Sequence, residues 1–158
     1  MKDIEILSLG YVIQNGIEFA EDVCFSGTHG QLVFDKPEEE GGKPLSGLLY
    51  EKRENGKLAY YAYYKNGISD GDYINFYESG EVASFQKMSN GVISGKSITW
   101  FENGNIRTVA EHKYGFCIMY KEWNENKELI KEKIEPNEFE KKMIEKYDTR
   151  AKSIRETE

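Results

Sequence analysis

The glycines of this 158-residue chain recur with a period of 24 residues, and this spacing constrains the fold more than any other feature. Three columns of glycine share the spacing: Gly47, Gly71 and Gly95; Gly56, Gly80 and Gly104; and Gly67, Gly91 and Gly115. A fixed period of this length is typical of one supersecondary unit that is repeated along a chain. We therefore expect a repeat protein whose working part is a surface rather than a catalytic pocket.

Each unit is predicted to be a β-hairpin, because the segments between glycines are rich in Tyr, Phe and β-branched residues that favour strands. Asn-Gly pairs stand at 55–56, 66–67, 90–91 and 103–104. Such pairs are a strong hairpin signal, since both residues tolerate the positive φ of a type I′ turn. The predicted fold is a mainly β, elongated, meandering antiparallel sheet with structural turns at Gly56, Gly67, Gly80, Gly91 and Gly104.

The period also divides the chain. Hairpins are predicted over 47–70, 71–94 and 95–118, with a partial unit over 119–134, so the repeats occupy residues 47–134. Residues 1–46 are expected to be a degenerate terminal repeat or cap, in which Asn15-Gly16 marks a turn and residues 35–44 form an acidic loop. Atypical terminal units are expected where a stack of repeats must end without exposing an edge.

The character of the sequence changes to helical after Pro136. Phe139, Met143 and Tyr147 recur at the spacing of one helix face, which predicts a helix from about 137 to 151 within a C-terminal segment over 135–158. We expect this apolar face to cover the last hairpin of the sheet. Docking on a partner and a mobile tail are the alternatives.

The aromatic residues fall on both faces of the predicted strands. Phe76 and Trp100 share a column and are expected in the core under period-2 alternation. Several tyrosines must then point outward, and tyrosine is a residue that protein interfaces favour. We select four of them as candidate partner-binding residues: Tyr61, Tyr63, Tyr73 and Tyr77. The alternative is that these rings merely shield a thin sheet.

The net charge of -7 is concentrated at the N-terminal end, where residues 1–46 hold nine acids and three bases. An acidic chain repels phosphate backbones and anionic lipid, so neither nucleic acid nor a membrane surface is an expected partner. Glu21 and Asp22 belong to this acidic region, and its loop adds four candidate partner-binding residues: Asp35, Glu38, Glu39 and Glu40. Such a loop either is simply solvated or steers a basic partner.

The sequence contains no pattern that predicts catalysis or a cofactor. His29 and His112 lie in different units, and no phosphate-binding, dinucleotide-binding or nucleophile motif is present. Cys24 and Cys117 form no C-x-x-C pair and are expected to be buried free thiols. No segment has the apolar length of a membrane span or the pattern of a secretory signal, so we expect a soluble cytoplasmic protein without metal or cofactor.

The repeated pattern Gly-x-x-x-x-(Phe/Trp)-(Tyr/Phe)-Glu-(Asn/Ser)-Gly, followed by Asn-Gly-x-x-(Asp/Ser)-Gly, resembles the bacterial variant of the MORN repeat. The resemblance covers roughly residues 47–133 and extends to the YwqK-type antitoxin and immunity family. It implies stacked hairpins and, in many members, the binding and neutralisation of a cognate toxin, here conceivable as a basic, nuclease-like protein. A MORN-type scaffold that tethers proteins or membranes is the alternative, and self-association is left open.

Overall fold

The computed structural model of the chain describes residues 4–20, 23–26 and 30–157. Its elements, in chain order, are α1 (Leu9–Asn15), β1 (Ile17–Glu18), β2 (Cys24–Ser26), β3 (Leu32–Phe34), a short 3-10 helix (Glu38–Glu40), β4 (Gly47–Lys52), β5 (Leu58–Lys65), β6 (Ile68–Phe76), β7 (Val82–Ser89), β8 (Val92–Trp100), β9 (Ile106–Lys113), β10 (Phe116–Trp123), β11 (Leu129–Lys133) and α2 (Glu138–Thr157). The predicted mainly β fold with a C-terminal helix is confirmed.

One long sheet dominates the structure. Its nine strands are ordered β1-β4-β5-β6-β7-β8-β9-β10-β11, so every strand from β4 onward pairs with its neighbour in sequence. All of these sequential pairs are antiparallel, whereas the short β1 pairs with β4 in parallel. Strands β2 and β3 form a separate hairpin. The meander follows directly from the repeated turns.

Turns of two kinds alternate along the sheet. Asn66-Gly67 and Asn90-Gly91 form two-residue turns in which both residues have positive φ, at 52° and 82° in the first and 48° and 79° in the second. These values confirm the predicted type I′ geometry. Gly56, Gly80 and Gly104 also have positive φ, at 83°, 97° and 91°, and stand in longer turns.

The type I′ prediction is wrong for the pairs at 55–56 and 103–104. Only the glycine of each pair has positive φ, and the asparagine side chain instead accepts a hydrogen bond from the backbone two residues on, Lys57 N or Asn105 N, at 2.9 Å in both turns. Gly56 N also donates to Arg53 O at 2.9 Å. These are asparagine-capped loops closed by a single left-handed glycine.

A β-bulge recurs beside each longer turn, and the strand pairs that the two-residue turns join shift register as well. Between the pairs Glu51 with Tyr60 and Lys52 with Leu58, the residue Ala59 has no opposite partner. Equivalent register shifts leave one extra residue in β7, β9 and β11: Ala83, Arg107 and Ile130. Each bulge reverses the alternation of side chains, so Leu58 and Tyr61 lie on the same face although three positions separate them.

The core lies on one side of this sheet, here called the apolar face. Its buried residues run across the strands: Leu48, Tyr50, Leu58, Tyr61, Ile74, Phe76, Phe85 and Ile98. Val12 of α1 is fully buried against this face, and Ile4 and Leu7 pack beside it. Burying one such side chain contributes about 1.5 to 3 kcal/mol. Residues 4–16, here called the N-terminal segment, therefore cover a core that the hairpins alone would leave exposed to water.

A second, smaller core lies on the other side of β4. Val33 of the β2–β3 hairpin, with Val23 and Leu45, packs on Leu49, and Tyr64 borders the cluster. Residues 1–46 were expected to include a hairpin turn at Asn15-Gly16, and that prediction is wrong, because Asn15 ends α1 and Gly16 has a φ of -100°. Helix α1 forms there because Val12 gains its burial only on the sheet.

Helix α2 is longer than the predicted 137 to 151 and extends over Glu138–Thr157. Asn137 and Glu140 form a reciprocal capping box, in which Glu140 N donates to Asn137 Oδ1 at 2.8 Å and Asn137 N donates to Glu140 Oε1 at 3.0 Å. Pro136 precedes the cap. No helix among the described residues combines the length and apolarity needed to cross a membrane.

The helix contacts the turn between β9 and β10. The rings of Tyr147 and Tyr114 lie 5.2 Å apart, and Tyr114 Oη donates to Asp148 Oδ1 at 2.6 Å. Tyr114 has a φ of 52°, an unfavourable conformation for a bulky residue, and these contacts stabilise it. Phe139 touches Phe116 edge-on but is 64% exposed, so the apolar helix face is only partly covered.

Candidate partner interface

The side of the sheet opposite the apolar face is lined with tyrosine and small polar residues, and is called the polar face here. Cross-strand register places Tyr73, Gln86 and Ser97 in one row and Asn75, Ser84 and Thr99 in the next. The polar face consists of Tyr60, Tyr73, Asn75, Ser84, Gln86, Ser97, Thr99, Thr108, His112, Tyr120 and Glu122. Neither hydrophobic cluster of the described residues includes any of them.

Hydrogen bonds between neighbouring strands hold many of these side chains in place. Asn75 Nδ2 donates to Ser84 Oγ at 3.0 Å, and the hydroxyls of Thr99 and Thr108 lie 2.6 Å apart. Ser97 Oγ lies 3.2 Å from Nε2 of His112, whose pKa is lowered by burial. The imidazole is therefore neutral at pH 7 and is one more polar, uncharged group on this face.

Two tyrosines stack at the end of the polar face nearer the N-terminus. The ring centroids of Tyr60 and Tyr73 are 5.7 Å apart and the rings are nearly parallel, at 16°. Burial is the largest cause that raises the pKa of both phenols, and the negative charge of Glu51 raises both further. Both rings are therefore neutral at physiological pH and only partly accessible.

The other end of the polar face holds Tyr120 and Glu122. Tyr120 Oη donates to Glu122 Oε2 at 2.7 Å, and Lys131 Nζ lies 5.6 Å from the centre of the Tyr120 ring. Burial raises the pKa of Tyr120, and the bond to Glu122 raises it further. This end carries an aromatic ring, a carboxylate and a cation that the chain itself supplies.

The four tyrosines predicted from the sequence occupy three different environments. Tyr73 lies on the polar face as expected. Tyr61 does not point outward: it is 1% exposed in the core, and its hydroxyl accepts a hydrogen bond from Leu7 N at 2.9 Å. The bulge at Ala59 is the reason, because it brings Tyr61 to the side of Leu58. Tyr61 is therefore excluded from the candidate interface.

The remaining two predicted tyrosines lie apart from the polar face. Tyr63 is half-buried on the apolar side, where it packs against the main core. Tyr77 stands in the turn after β6, and its hydroxyl donates to Trp100 O of the next hairpin at 2.6 Å. That bond gives Tyr77 a role in joining neighbouring hairpins. The structure therefore brings only Tyr73, of the four, onto the polar face.

The four predicted acids of the N-terminal region all lie in the exposed loop between β3 and β4. Asp35 Oδ1 accepts a hydrogen bond from Lys43 N at 2.9 Å, and Glu38, Glu39 and Glu40 form the 3-10 helix. The base of the loop is anchored to the sheet, because Val33 N donates to Gly67 O at 2.9 Å. Glu21 and Asp22 lie outside the described residues.

Sequence reasoning missed the partners of Tyr73 on the polar face. Tyr60, Asn75, Ser84 and Thr99 each stand one position away from a buried residue of a single cross-strand row, which is formed by Tyr61, Ile74, Phe85 and Ile98. These polar residues can be assigned to one face only when the register shift at each bulge is known. No single residue type marks the position of a bulge. Short polar residues also look like ordinary exposed strand positions.

The described residues contain no group of three or more His, Cys, Asp or Glu placed to hold a metal ion. Cys24 and Cys117 are free, but the expected burial is wrong, because both are only half-buried. Cys117 Sγ lies 3.3 Å from Met119 O. His29 lies outside the part of the chain that the structure describes.

Comparison with known proteins gives one informative match. No family model and no solved structure matches the chain. Over 58 residues the chain is 41% identical to the immunity protein YwqK of Bacillus subtilis strain 168, and the match covers 37% of this chain. It spans 36% of that protein, so the two are similar over about a third of their lengths.

Proposed function

We propose that this chain is a cytoplasmic, non-enzymatic immunity protein that binds a cognate protein toxin through the polar face and so neutralises it. The observation that carries the proposal is the 41% identity over 58 residues to an immunity protein. The polar face supplies a surface suited to that role. Binding requires neither a cofactor nor a metal, since inhibition follows from covering the toxin's working surface.

The composition of the polar face supports protein binding. Tyrosine offers a large rigid contact area at low entropic cost, and Ser, Thr and Asn adapt their hydrogen bonds to a partner, which is the combination that antibody binding surfaces use. From Tyr60 on β5 to Tyr120 on β10 the face crosses five strand spacings, roughly 24 Å. A patch of this width matches the size of one side of a standard protein interface.

The polar face is also well ordered before a partner arrives. The bonds between Asn75 and Ser84 and between Thr99 and Thr108 fix side chains that would otherwise lose rotamer freedom on binding. Ordering a flexible side chain at an interface costs about 0.5 to 1.5 kcal/mol, so preorganisation favours affinity. The apolar face, in contrast, is covered over its first strands by the chain's own N-terminal segment.

The acidic loop supports recognition of a basic partner. Glu38, Glu39 and Glu40 are exposed, and the chain has a net charge of -7. Opposite charge mainly raises the association rate and selects partners by sign. We propose that this loop attracts a basic, nuclease-like toxin toward the sheet, while the polar face provides most of the binding energy.

The decisive experiment measures binding to the protein encoded by the neighbouring gene, together with rescue of growth when that protein is expressed. Gln86→Arg places a positive charge at the centre of the polar face and should weaken binding by about tenfold or more, because it repels a basic partner. Gln14→Arg on α1 is the matched control, since it makes the same change at an exposed position away from this face.

Rescue by the wild-type chain and by Gln14→Arg, with rescue lost in Gln86→Arg, is the expected pattern. Equal binding by both variants would exclude the polar face as the interface. Failure of the unaltered chain to bind or to rescue growth would count against the immunity function itself.

The acidic loop calls for a kinetic experiment. Replacing Glu38, Glu39 and Glu40 together by glutamine should lower the association rate of the complex and reduce its dependence on salt. The dissociation rate should stay nearly constant, because exposed charges at the rim act before contact. A change confined to the dissociation rate would instead place the loop inside the interface.

A further inference from the structure

The two ends of the polar face carry similar groups, but among the described residues a cation lies over an aromatic ring at only one of them. At the β10 end, Lys131 Nζ lies 5.6 Å from the Tyr120 ring centre, and Lys131 is the cross-strand partner of Glu122. Glu122 Oε2 in turn accepts a hydrogen bond from Tyr120 Oη at 2.7 Å. A ring, a carboxylate and an ammonium group thus form one compact cluster.

At the β5 end, two rings and a carboxylate are present, and the described part of the chain places no cation in direct contact with them. Tyr60 and Tyr73 stack at 5.7 Å, and Glu51 is the cross-strand partner of Tyr60. Glu51 is exposed. Among residues 4–20, 23–26 and 30–157, no ion pair involves Glu51 and no cation lies over either ring.

The electrostatics of this cluster favour a positive group. The faces of aromatic rings carry negative charge density, which attracts a cation within about 6 Å of the ring centre. Burial raises the pKa of both tyrosines and Glu51 adds to the shift, so the phenols stay neutral at physiological pH. The stacked rings and the carboxylate therefore favour the approach of a positive group.

We propose that Tyr60, Tyr73 and Glu51 form a subsite for an arginine side chain of the partner protein. This inference rests on the proposed function, since it names one chemical contact that the toxin makes on the polar face. Arginine fits better than lysine, because a planar guanidinium stacks on a ring and donates hydrogen bonds to a carboxylate at the same time. At the Tyr120 end, strand pairing already places Lys131 beside the ring and Glu122, so that contact does not depend on the shape of a guanidinium group.

The subsite can be tested without the toxin. The probe is N-acetyl-arginine amide, titrated into the full-length chain with isotope-labelled tyrosine while the ring resonances are followed by NMR. Shifts should concentrate at Tyr60 and Tyr73. The citrulline derivative has nearly the same shape but no charge and should leave both rings unperturbed, and the lysine derivative should bind more weakly than arginine.

Variants of the two carboxylates separate the subsite from general attraction to an acidic protein. Glu51→Gln should weaken the arginine response by about fivefold, the size of one charge contact beside an aromatic pair. Glu122→Gln makes the same change at the occupied end and should leave the response of Tyr60 and Tyr73 unchanged. If both variants weakened the arginine response equally, the response would depend on the net charge of the protein rather than on Glu51, and the subsite would be overturned.

Other outcomes decide between this inference and the function on which it rests. An unchanged spectrum with arginine, or an equal response to citrulline, overturns the subsite even if the toxin binds. An equal response to lysine overturns the preference for guanidinium. An arginine response at Tyr60 and Tyr73 that disappears in Glu51→Gln supports the subsite even if the neighbouring gene product does not bind, in which case the immunity function alone fails.

Discussion

The first hairpins and the last hairpins are built from the same repeat, yet they are buried to different extents. On the apolar face, Tyr61 and Ile74 are 1% and 0% exposed, whereas Leu129 at the far end of the sheet is 49% exposed. This difference in burial comes from residues outside the repeat. Ile4, Leu7 and Val12 pack on the first strands, and the contacts of the described N-terminal segment end near Trp100.

The difference teaches that the period specifies the sheet, whereas the segments added to it specify the core. A single sheet buries neither face by itself, so a hairpin unit that pairs with its neighbours still needs a second layer to form a core. At the first hairpins the N-terminal segment and the β2–β3 hairpin supply that layer on both sides. At the last hairpins helix α2 contacts the turn between β9 and β10 and the adjoining ends of β9, β10 and β11.

The largest predicted effect is a core truncation made in both regions. Ile74→Ala removes a side chain that is 0% exposed, and it should cost about 3 kcal/mol of unfolding free energy, the usual range for such a buried cavity. Ile106→Ala on β9 removes the same atoms from a half-buried position and should cost roughly 1 kcal/mol. Urea unfolding followed by circular dichroism measures both, and equal losses would abolish the contrast between the two regions.

A smaller contrast is expected at the turns. Gly67 and Gly104 have φ of 82° and 91°, so an alanine at either position is strained by about 1 kcal/mol or more. A Cβ at Gly67 would also lie 3.0 Å from Leu32 Cβ and from Val33 O, whereas at Gly104 it would meet open space. Gly67→Ala should therefore be the more destabilising variant, by roughly another 1 kcal/mol.

Thermal unfolding of the two glycine variants side by side gives the measurement. Gly104→Ala reports backbone strain alone, so its loss is subtracted from that of Gly67→Ala to leave the effect of packing against β3. A Gly104→Ala variant as unstable as Gly67→Ala would mean that the β2–β3 hairpin adds no constraint to this turn.

The turns and the period could be predicted from the sequence because they depend on local chemistry. A positive φ favours Gly and Asn, so the pairs Asn66-Gly67 and Asn90-Gly91 can be recognised in the sequence as turns that need this conformation. The assignment of faces could not be predicted in the same way. The bulge residues Ala59, Ala83 and Arg107 are not all of one chemical type, so residue type alone does not reveal the reversal that buries Tyr61.

The polar face and α1 were hidden for a related reason. Polar-face residues such as Ser97 and Thr99 are recognisable only when the register of several strands is known. Helix α1 has seven residues, too few to be stable alone, and it depends on the burial of Val12 and on Ser8, whose hydroxyl accepts a hydrogen bond from Tyr11 N. Both features are decided by tertiary contacts rather than by local preference.

A hydrogen bond between neighbouring hairpins provides a finer test of the same contrast. Arg53 Nη2 donates to Phe76 O at 2.8 Å, and Tyr77 Oη makes the equivalent bond to Trp100 O one repeat later. Phe101 occupies the next equivalent position and has no donor. Tyr77→Phe should cost about 1 kcal/mol, and Phe101→Tyr should recover part of that amount by adding the bond near Trp123.

Unfolding of the two single variants and of the double variant measures this exchange. The double variant moves the bond from the better covered region to the more exposed one, where water competes for it. A smaller gain at Phe101 than loss at Tyr77 is the expected asymmetry, and a full compensation would show that both junctions are equally protected.

The smallest expected effects are local and depend on pH with opposite signs at the two ends. Lys133 and the N–H of Asn137 lower the pKa of Glu140, and Tyr114 and Lys113 lower the pKa of Asp148. A carboxylate with a lowered pKa contributes stability above its unfolded pKa, and that contribution is lost as pH falls through the folded value. When pH falls below the ordinary pKa values of the two carboxyl groups, 4.5 for Glu140 and 3.8 for Asp148, α2 should therefore be the first element to open.

The N-terminal segment should respond to alkali instead. Burial raises the pKa of Tyr61, whose hydroxyl accepts a hydrogen bond from Leu7 N. The neutral phenol therefore contributes its full share of the folding stability below the ordinary pKa of 10.0. That share is lost as pH rises through the pKa of the folded state. Hydrogen-exchange protection factors report each end separately, with amides of α2 expected to open in acid and the amide of Val12 in base. If acid and base opened the same end, the two regions would not be held by the different contacts described for them.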